Sequence, residues 1–267
     1  MTTLTSPPHT QPATRPLAQR HETTGRPGLV SALRSETLKL ATVRSYRAIA
    51  ALTVLVGGFA AFAVATLVTD EVITVAGVFS FSTVFTAVFA AVAGILTITT
   101  EAEHRTLPQT YAAQPRRQVV IVAKALVVTT FAVTLALVGL AAGALGAALG
   151  GVEMGDTASI PETIGWSVGF AALAAVLGFG IGLIARHSAA AISGLLVWWL
   201  VVESLATVFI DARYARFLPF VAGNGMLGIV NEDDATAFPP ATSAVVFAGY
   251  ATLALVMGII VAHRSDP

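Results

Sequence analysis

The chain has 267 residues, of which 55% are hydrophobic and 11% charged, with a formal net charge of zero and no cysteine. A water-soluble globule of this length does not need so large an apolar share, so we expect lipid to be its solvent. The lack of cysteine excludes disulfides and thiolate metal sites.

The segment 1–28 comes first and is predicted to be a disordered cytoplasmic tail. Five of its residues are proline, standing among Thr, His and Arg, and no apolar run resembles the core of a signal peptide. A plain linker is the simpler interpretation, and a partner-binding segment is the alternative.

A helix in the membrane interface is predicted to follow this tail. Leu29, Leu33, Leu40 and Val43 fall near one helical face, as in helices that lie along a bilayer surface. A cytoplasmic extension of the first membrane span is the alternative.

Six apolar segments of residues 29–267 are long enough to cross a membrane. About 20 helical residues span roughly 30 Å of hydrocarbon. Long continuous apolar runs favour helices, because each backbone amide in lipid must find its partner within its own segment. The predicted fold is therefore all-α, a polytopic membrane protein with six transmembrane helices. The predicted spans are Ala48–Val68, Val75–Ile98, Val122–Gly150, Ile164–Ala185, Ala189–Ile210 and Ala241–Ala262.

The distribution of basic residues predicts that both termini are cytoplasmic. With that orientation, 13 of the 15 Lys and Arg residues lie on the inside, and only Arg213 and Arg216 lie outside. The outer loops then carry nine acidic residues: Asp70, Glu71, Glu153, Asp156, Glu162, Asp211, Glu232, Asp233 and Asp234. The reverse orientation would break the positive-inside rule at every loop.

The cytoplasmic loop 99–118 is the most polar internal segment near the membrane. Glu101 and Arg105 are four residues apart, so they can pair along one helical turn. Arg116 and Arg117 follow a proline just before the third span. A short amphipathic helix and a turn fit this pattern, although the two arginines also fit ordinary positive-inside anchors.

The external loop 211–240 contains an apolar patch, Phe217 to Val221, followed by Gly223-Asn224-Gly225. The patch is too short to span the membrane. A re-entrant segment shielded by the other helices is predicted before the last span, and an ordered surface loop is the alternative.

Glu203 is the only acidic residue inside a predicted span. Burying an ionised carboxylate in lipid costs a few kcal/mol or more. The side chain is therefore expected to face the helix bundle, a cavity or the outer interface. It is a candidate for the translocation path, or else a residue held beside the external loop.

Motifs for catalysis are weak or absent, and we predict no catalytic, cofactor or metal site. No P-loop motif occurs, so the chain is not expected to hydrolyse ATP itself. Gly223, Gly225 and Gly228 match a dinucleotide-binding pattern but lack a preceding strand. Ser167 and His187 stand near opposite ends of the fourth span, roughly 30 Å apart, which excludes them as a nucleophile and base within that helix.

Two stretches of the chain, 31–45 and 94–126, resemble the permease subunits of type-2 ABC exporters. In that family a Glu-Lys-x-x-Thr-x-Arg element precedes the first span, and an acidic pair, Arg, Thr, Pro-x-Arg and Ala-Lys follow the second. The segment Leu218 to Ala222 is similar to the external re-entrant region of the family. The matching residues are Glu36, Lys39, Thr42, Arg44, Gly94, Glu101, Glu103, Arg105, Thr106, Pro115, Arg117, Ala123 and Lys124.

This resemblance implies a subunit of an ATP-driven exporter in a bacterial cell membrane. Such a permease works as a homodimer or heterodimer with two copies of a separate cytoplasmic ATPase that binds the ATP; no nucleic acid is involved. The resemblance makes loop 99–118 a coupling helix that sits in a cleft of the ATPase. Its coupling residues would be Glu101, Glu103, Arg105, Thr106, Arg116 and Arg117.

Two alternatives come from other classes of protein. The first is a membrane protein without transport activity, such as an immunity, scaffold or sensor factor that acts by binding partners. The second is a membrane-embedded enzyme, which would need a polar cluster at depth, and the sequence offers one carboxylate there.

Overall fold

The computed structural model describes residues 28–67, 75–106, 110, 116–151, 159–228 and 237–264, and within these ranges every regular element is a helix. The predicted tail, apart from Gly28, lies outside the described residues. So do Asp70, Glu71 and the acidic cluster 232–234.

Six of the described helices are long and apolar enough to cross a membrane, which confirms the predicted all-α polytopic fold. Two short helices separate the last two of them, and one helix precedes them all. In chain order the elements are α1 (Leu29–Thr42), α2 (Arg44–Leu67), α3 (Val75–Glu103), α4 (Arg117–Leu149), α5 (Ile160–Ala185), α6 (Ser188–Phe209), α7 (Ala212–Ala215), α8 (Pro219–Gly225) and α9 (Pro240–Arg264).

Local sequence sets the helix ends around α5 and α6. Pro161 stands in the first turn of α5, where its missing N–H costs no hydrogen bond, and Glu162 lies near the positive end of the helix dipole. Arg186 ends α5 in a left-handed conformation, with φ of 54°. His187 then caps α6, accepting a hydrogen bond from the N–H of Ala190 at 3.4 Å. A two-residue turn therefore joins two spans.

Helices α3 and α5 form the centre of the bundle. The backbone of Ala91 on α3 contacts Gly178 on α5, and Gly94 faces Ala175 in the same way, with no room for a side chain at either glycine. Such close approach lets backbones pack directly, which is how helices associate in lipid. The most apolar stretch of α3 is 61% buried, against 17% for α6 and α9. These outer helices therefore present broad apolar faces to their surroundings.

The apolar patch before the last span forms the short helix α8 and packs into the bundle. The rings of Phe220 and Trp199 stack with centroids 3.9 Å apart, and Phe170 and Phe247 complete the aromatic cluster. Phe220 is 2% exposed. This segment is buried against α5, α6 and α9, and so is not a solvated surface loop.

Helix α1 forms where the apolar pattern predicts it. Glu36 is buried against α4, whereas Leu29 and Val43 of the predicted apolar face are exposed on the protein surface. An apolar face that lies in lipid has no protein contacts, so this exposure does not contradict the predicted interfacial helix, and the interfacial position stays a prediction.

Candidate functional site

Four charged side chains from three helices meet where α1 crosses α3 and α4. The Nζ atom of Lys124 on α4 lies 2.8 Å from Oε2 of Glu36 and 2.7 Å from Oε1 of Glu101. The Nζ atom of Lys39 lies 2.8 Å from Oε1 of each of the same two glutamates. We call these four residues the charged quartet.

The quartet is electrically neutral and largely shielded. The side chain of Lys124 is 1% exposed, that of Glu36 is 7% and that of Glu101 is 12%. A buried charge is tolerated only when it is paired and hydrogen-bonded, and here each ammonium contacts both carboxylates. The quartet therefore fixes α1 to the end of α3 and the beginning of α4.

Lys39 is the outermost member, with 43% of its side chain exposed. Partial burial lowers the pKa of Lys39, but hydrogen bonds and charge from Glu101 and Glu36 outweigh it, so the pKa lies above its ordinary value. The stabilisation from this ammonium is complete below the ordinary lysine pKa. It is lost only as pH rises through the higher folded value. The lysine is thus charged throughout the physiological range.

Hydroxyl groups surround the charged quartet. Tyr46 on α2 and Thr97 on α3 share a buried hydrogen bond of 3.2 Å. Thr110, after the end of α3, donates to Oε2 of Glu101 at 3.4 Å. These contacts add α2 and one residue of the polar loop to the same cluster.

Glu101 does not pair with Arg105, contrary to the prediction from their spacing. Helix α3 ends at Glu103, and Arg105 takes a left-handed backbone conformation with φ of 55°. The two residues are therefore not on consecutive turns of one helix. Glu101 instead points into the bundle and pairs with the two lysines.

Glu103 connects the end of α3 to the first residue of α6. Its Oε1 accepts hydrogen bonds from the backbone N–H of Ser188 at 2.6 Å and from the Ser188 hydroxyl at 2.7 Å. A carboxylate at a helix N-terminus satisfies amides that have no partner inside the helix. Two glutamates separated by one residue thus reach three different helices.

The other predicted coupling residues are only partly placed. The backbone N–H of Thr106 donates to the carbonyl of Glu101 at 3.0 Å and closes the end of α3. Arg116 is the N-cap residue of α4, and Arg117 is the first residue of that helix. Residues 107–109 and 111–115 lie outside the described residues, so the middle of the predicted coupling helix stays a prediction.

Glu203 lies in the bundle, 3% exposed, and holds the beginning of α8. Its carboxylate accepts from the N–H of Phe220 at 2.9 Å, from the N–H of Val221 at 2.9 Å and from Nε1 of Trp198 at 2.8 Å. A π-helical turn, Trp198–Val202, directly precedes it. Of the two interpretations from sequence, the contacts favour a residue held beside the external loop.

Sequence reasoning missed the meeting of Glu36, Lys39 and Lys124 with Glu101. The family resemblance marked all four positions, but their mutual contacts depend on how α1 folds back against α4. One signal was available. Lys124 lies inside the predicted third span, and a lysine at such a position needs a carboxylate nearby.

The described residues contain no group of three or more His, Asp or Glu side chains that could hold a metal ion. The Ser167 hydroxyl accepts a hydrogen bond from Thr83 at 2.9 Å, and His187 caps α6, so neither is arranged as a nucleophile with its base. Searches against known protein families and curated proteins find no match for this chain.

Proposed function

We propose that the chain is the membrane permease subunit of an ATP-binding cassette exporter in a bacterial cell membrane. It would act as a dimer of permease subunits with a separate cytoplasmic ATPase. The end of the bundle that carries the charged quartet would face the cytoplasm, since most basic residues near the membrane lie there.

The arrangement of Glu101 and Glu103 carries this proposal. A coupling segment must pass a displacement imposed by a partner into the membrane helices, which requires rigid links rather than a loose loop. Glu101 links the end of α3 to α1 and α4, and Glu103 links it to α6. A displacement of this end of α3 is thereby shared by four helices.

The same geometry revises which residues would touch the ATPase. Glu101 and Glu103 bond to their own chain, so they are assigned to transmission and not to partner contact. His104 and Arg105, which follow directly, are exposed. An exposed charge next to a rigid helix end can set the register and rate of docking on a partner of opposite charge.

Co-purification tests the proposal. The tagged chain is isolated from its native membranes in mild detergent, and the proteins recovered with it are identified. We expect a P-loop ATPase. Arg105→Glu should reduce its recovery at least several-fold, because it reverses an exposed charge. Arg34→Glu, at an exposed position on α1, is the matched control and should leave recovery unchanged.

Recovery of other complexes but no ATPase would overturn the exporter proposal. In that outcome a membrane protein that acts only by binding partners becomes the better description. Equal ATPase recovery with Arg105→Glu and wild type would instead remove Arg105 from the contact surface.

A further inference from the structure

A cavity of about 650 Å³ lies above the charged quartet, between α1 and the ends of α2, α3 and α4. This volume is in the usual range of small-molecule sites. Its wall is mixed. The quartet and hydroxyls such as Ser35 and Thr100 supply polar atoms, and Leu40, Val43 and Val127 supply apolar surface.

The position of the cavity indicates which molecules can reach it. Lys124 is seven residues beyond Arg117, the first residue of α4, and therefore roughly 10 Å further along the helix axis. α1 is amphipathic and lies across the same end of the bundle. The cavity thus sits near the boundary between headgroups and acyl chains, where phospholipid is the most abundant small molecule.

The hydrogen-bonding capacity of the quartet selects among headgroups. Lys39 and Lys124 each use two ammonium protons on the glutamates, which leaves a third donor for a phosphate oxygen. An ionised carboxylate has about four acceptor positions, and Glu36 accepts one hydrogen bond from Lys39 and one from Lys124. The quartet therefore still offers hydrogen-bond donors on the lysines and, next to them, acceptor positions on Glu36.

A zwitterionic headgroup with a primary ammonium matches this pattern best. Its phosphate would accept hydrogen bonds from the lysines, and its ammonium would donate hydrogen bonds to the glutamates. The net charge of the site would therefore stay at zero. A purely anionic headgroup would bring its charge close to both carboxylates. A quaternary ammonium cannot donate hydrogen bonds to them.

The acyl chains have a route away from the polar cavity. A second groove of about 600 Å³ borders it at Leu40 and Val127 and runs along α4 to Thr134. The hydroxyls of Thr37, Thr130 and Thr134 donate within their own helices, so the groove presents a nearly apolar surface. Thr134 is seven residues beyond Val127 on α4, so this surface extends by about 10 Å along the helix.

We propose that the cavity above the quartet binds the headgroup of one aminophospholipid of the phosphatidylethanolamine type. This site is independent of the exporter proposal, because it requires no ATPase. Bound lipid would join α1 to the ends of α3 and α4 and stabilise their contact.

Two measurements test the site in the full chain. Native mass spectrometry counts the lipids that remain on the detergent-purified protein. Thermal unfolding is then compared in nanodiscs of phosphatidylcholine alone and with added phosphatidylethanolamine or phosphatidylglycerol. We expect one retained phosphatidylethanolamine, with its ratio to retained phosphatidylglycerol about tenfold above that ratio in the membrane, since one charge-assisted hydrogen bond is worth about that factor. We also expect the largest rise in midpoint with phosphatidylethanolamine.

Cavity-filling variants supply the control. Ser35→Phe and Thr100→Phe place a ring in the cavity, and each replaced hydroxyl donates only within its own helix. Leu38→Phe changes an exposed position of α1 and is the matched control. Both filling variants should lose the retained lipid and the lipid-dependent shift, whereas Leu38→Phe should keep them.

Three outcomes would overturn the site. They are equal retention of the three lipids, retention by the filled variants equal to that of Leu38→Phe, and absence of both a retained lipid and a phosphatidylethanolamine-dependent midpoint. If Thr100→Phe fails to fold, Ser35→Phe alone decides the test, because Ser35 is an exposed position where a larger side chain is tolerated.

Discussion

At the scale of single residues, Lys124 is the most constrained charge in the described part of the chain. Lys124→Met keeps the length of the side chain but leaves Glu36 and Glu101 close together with one cation instead of two. Removing one partner of a buried ion pair costs about 3–5 kcal/mol. We expect a clear fall in the thermal unfolding midpoint in detergent.

Lys39→Met is the matched control, because Lys39 contacts the same two carboxylates but is 43% exposed. Water replaces part of the lost interaction there, so the expected cost is about 1 kcal/mol or less. Equal midpoints for the two variants would show that burial does not set the energetics of the quartet.

Glu203 is a buried acidic residue outside the charged quartet, and Glu203→Gln tests its role as an anchor of α8. The amide keeps one acceptor oxygen but presents an NH2 group to backbone N–H donors. The expected cost is about 1–3 kcal/mol. Hydrogen exchange at the amides of Phe220 and Val221 should speed up.

Glu162→Gln is the control for Glu203, because Glu162 also accepts from a tryptophan, Trp166, at 3.1 Å. That pair is exposed, and the glutamine oxygen still accepts the bond. Stability should therefore fall only by the lost interaction of the Glu162 charge with the dipole of α5, about 1 kcal/mol or less. Unaltered exchange at Phe220 in Glu203→Gln would argue that aromatic packing alone holds α8.

At the scale of helices, glycine decides whether α3 and α5 can touch. Gly178→Ala would place a methyl group against the backbone of Ala91 and force the helices apart. Overpacking of this kind costs about 1–3 kcal/mol. The same substitution at Gly194, where the added methyl group would meet no other part of the bundle within 4 Å, should stabilise helix α6 by up to about 1 kcal/mol.

Thermal unfolding of the two alanine variants gives the comparison directly, because the chemical change is the same and only the surroundings differ. Opposite shifts in midpoint are expected. A shift of the same sign at both positions would mean that helix propensity, and not close packing, dominates at Gly178.

At the scale of the whole molecule, the predicted orientation can be tested with single cysteines, since the natural chain has none. Arg213→Cys lies between α6 and α8, and Arg34→Cys lies on α1; both positions are exposed. In spheroplasts, whose inner membrane is intact, a membrane-impermeant maleimide should label the cysteine at position 213 and should not label the cysteine at position 34. The reverse pattern would invert the proposed topology.

The sequence by itself determined the class and the number of the membrane helices. An apolar run of about 20 residues has one stable form in lipid, so α2 to α6 and α9 follow from composition without knowledge of their neighbours. The break between α5 and α6 is also local, because Arg186 and His187 end one helix and cap the next.

Only the tertiary structure decided which polar groups meet. Glu36 and Lys124 are 88 residues apart, and their contact depends on α1 folding back over α4. Glu101 could pair locally with Arg105, yet it pairs with two lysines from other helices. The physical reason is burial. A charged group that is shielded from water needs an oppositely charged partner, and helix packing supplies that partner from residues that are distant along the chain.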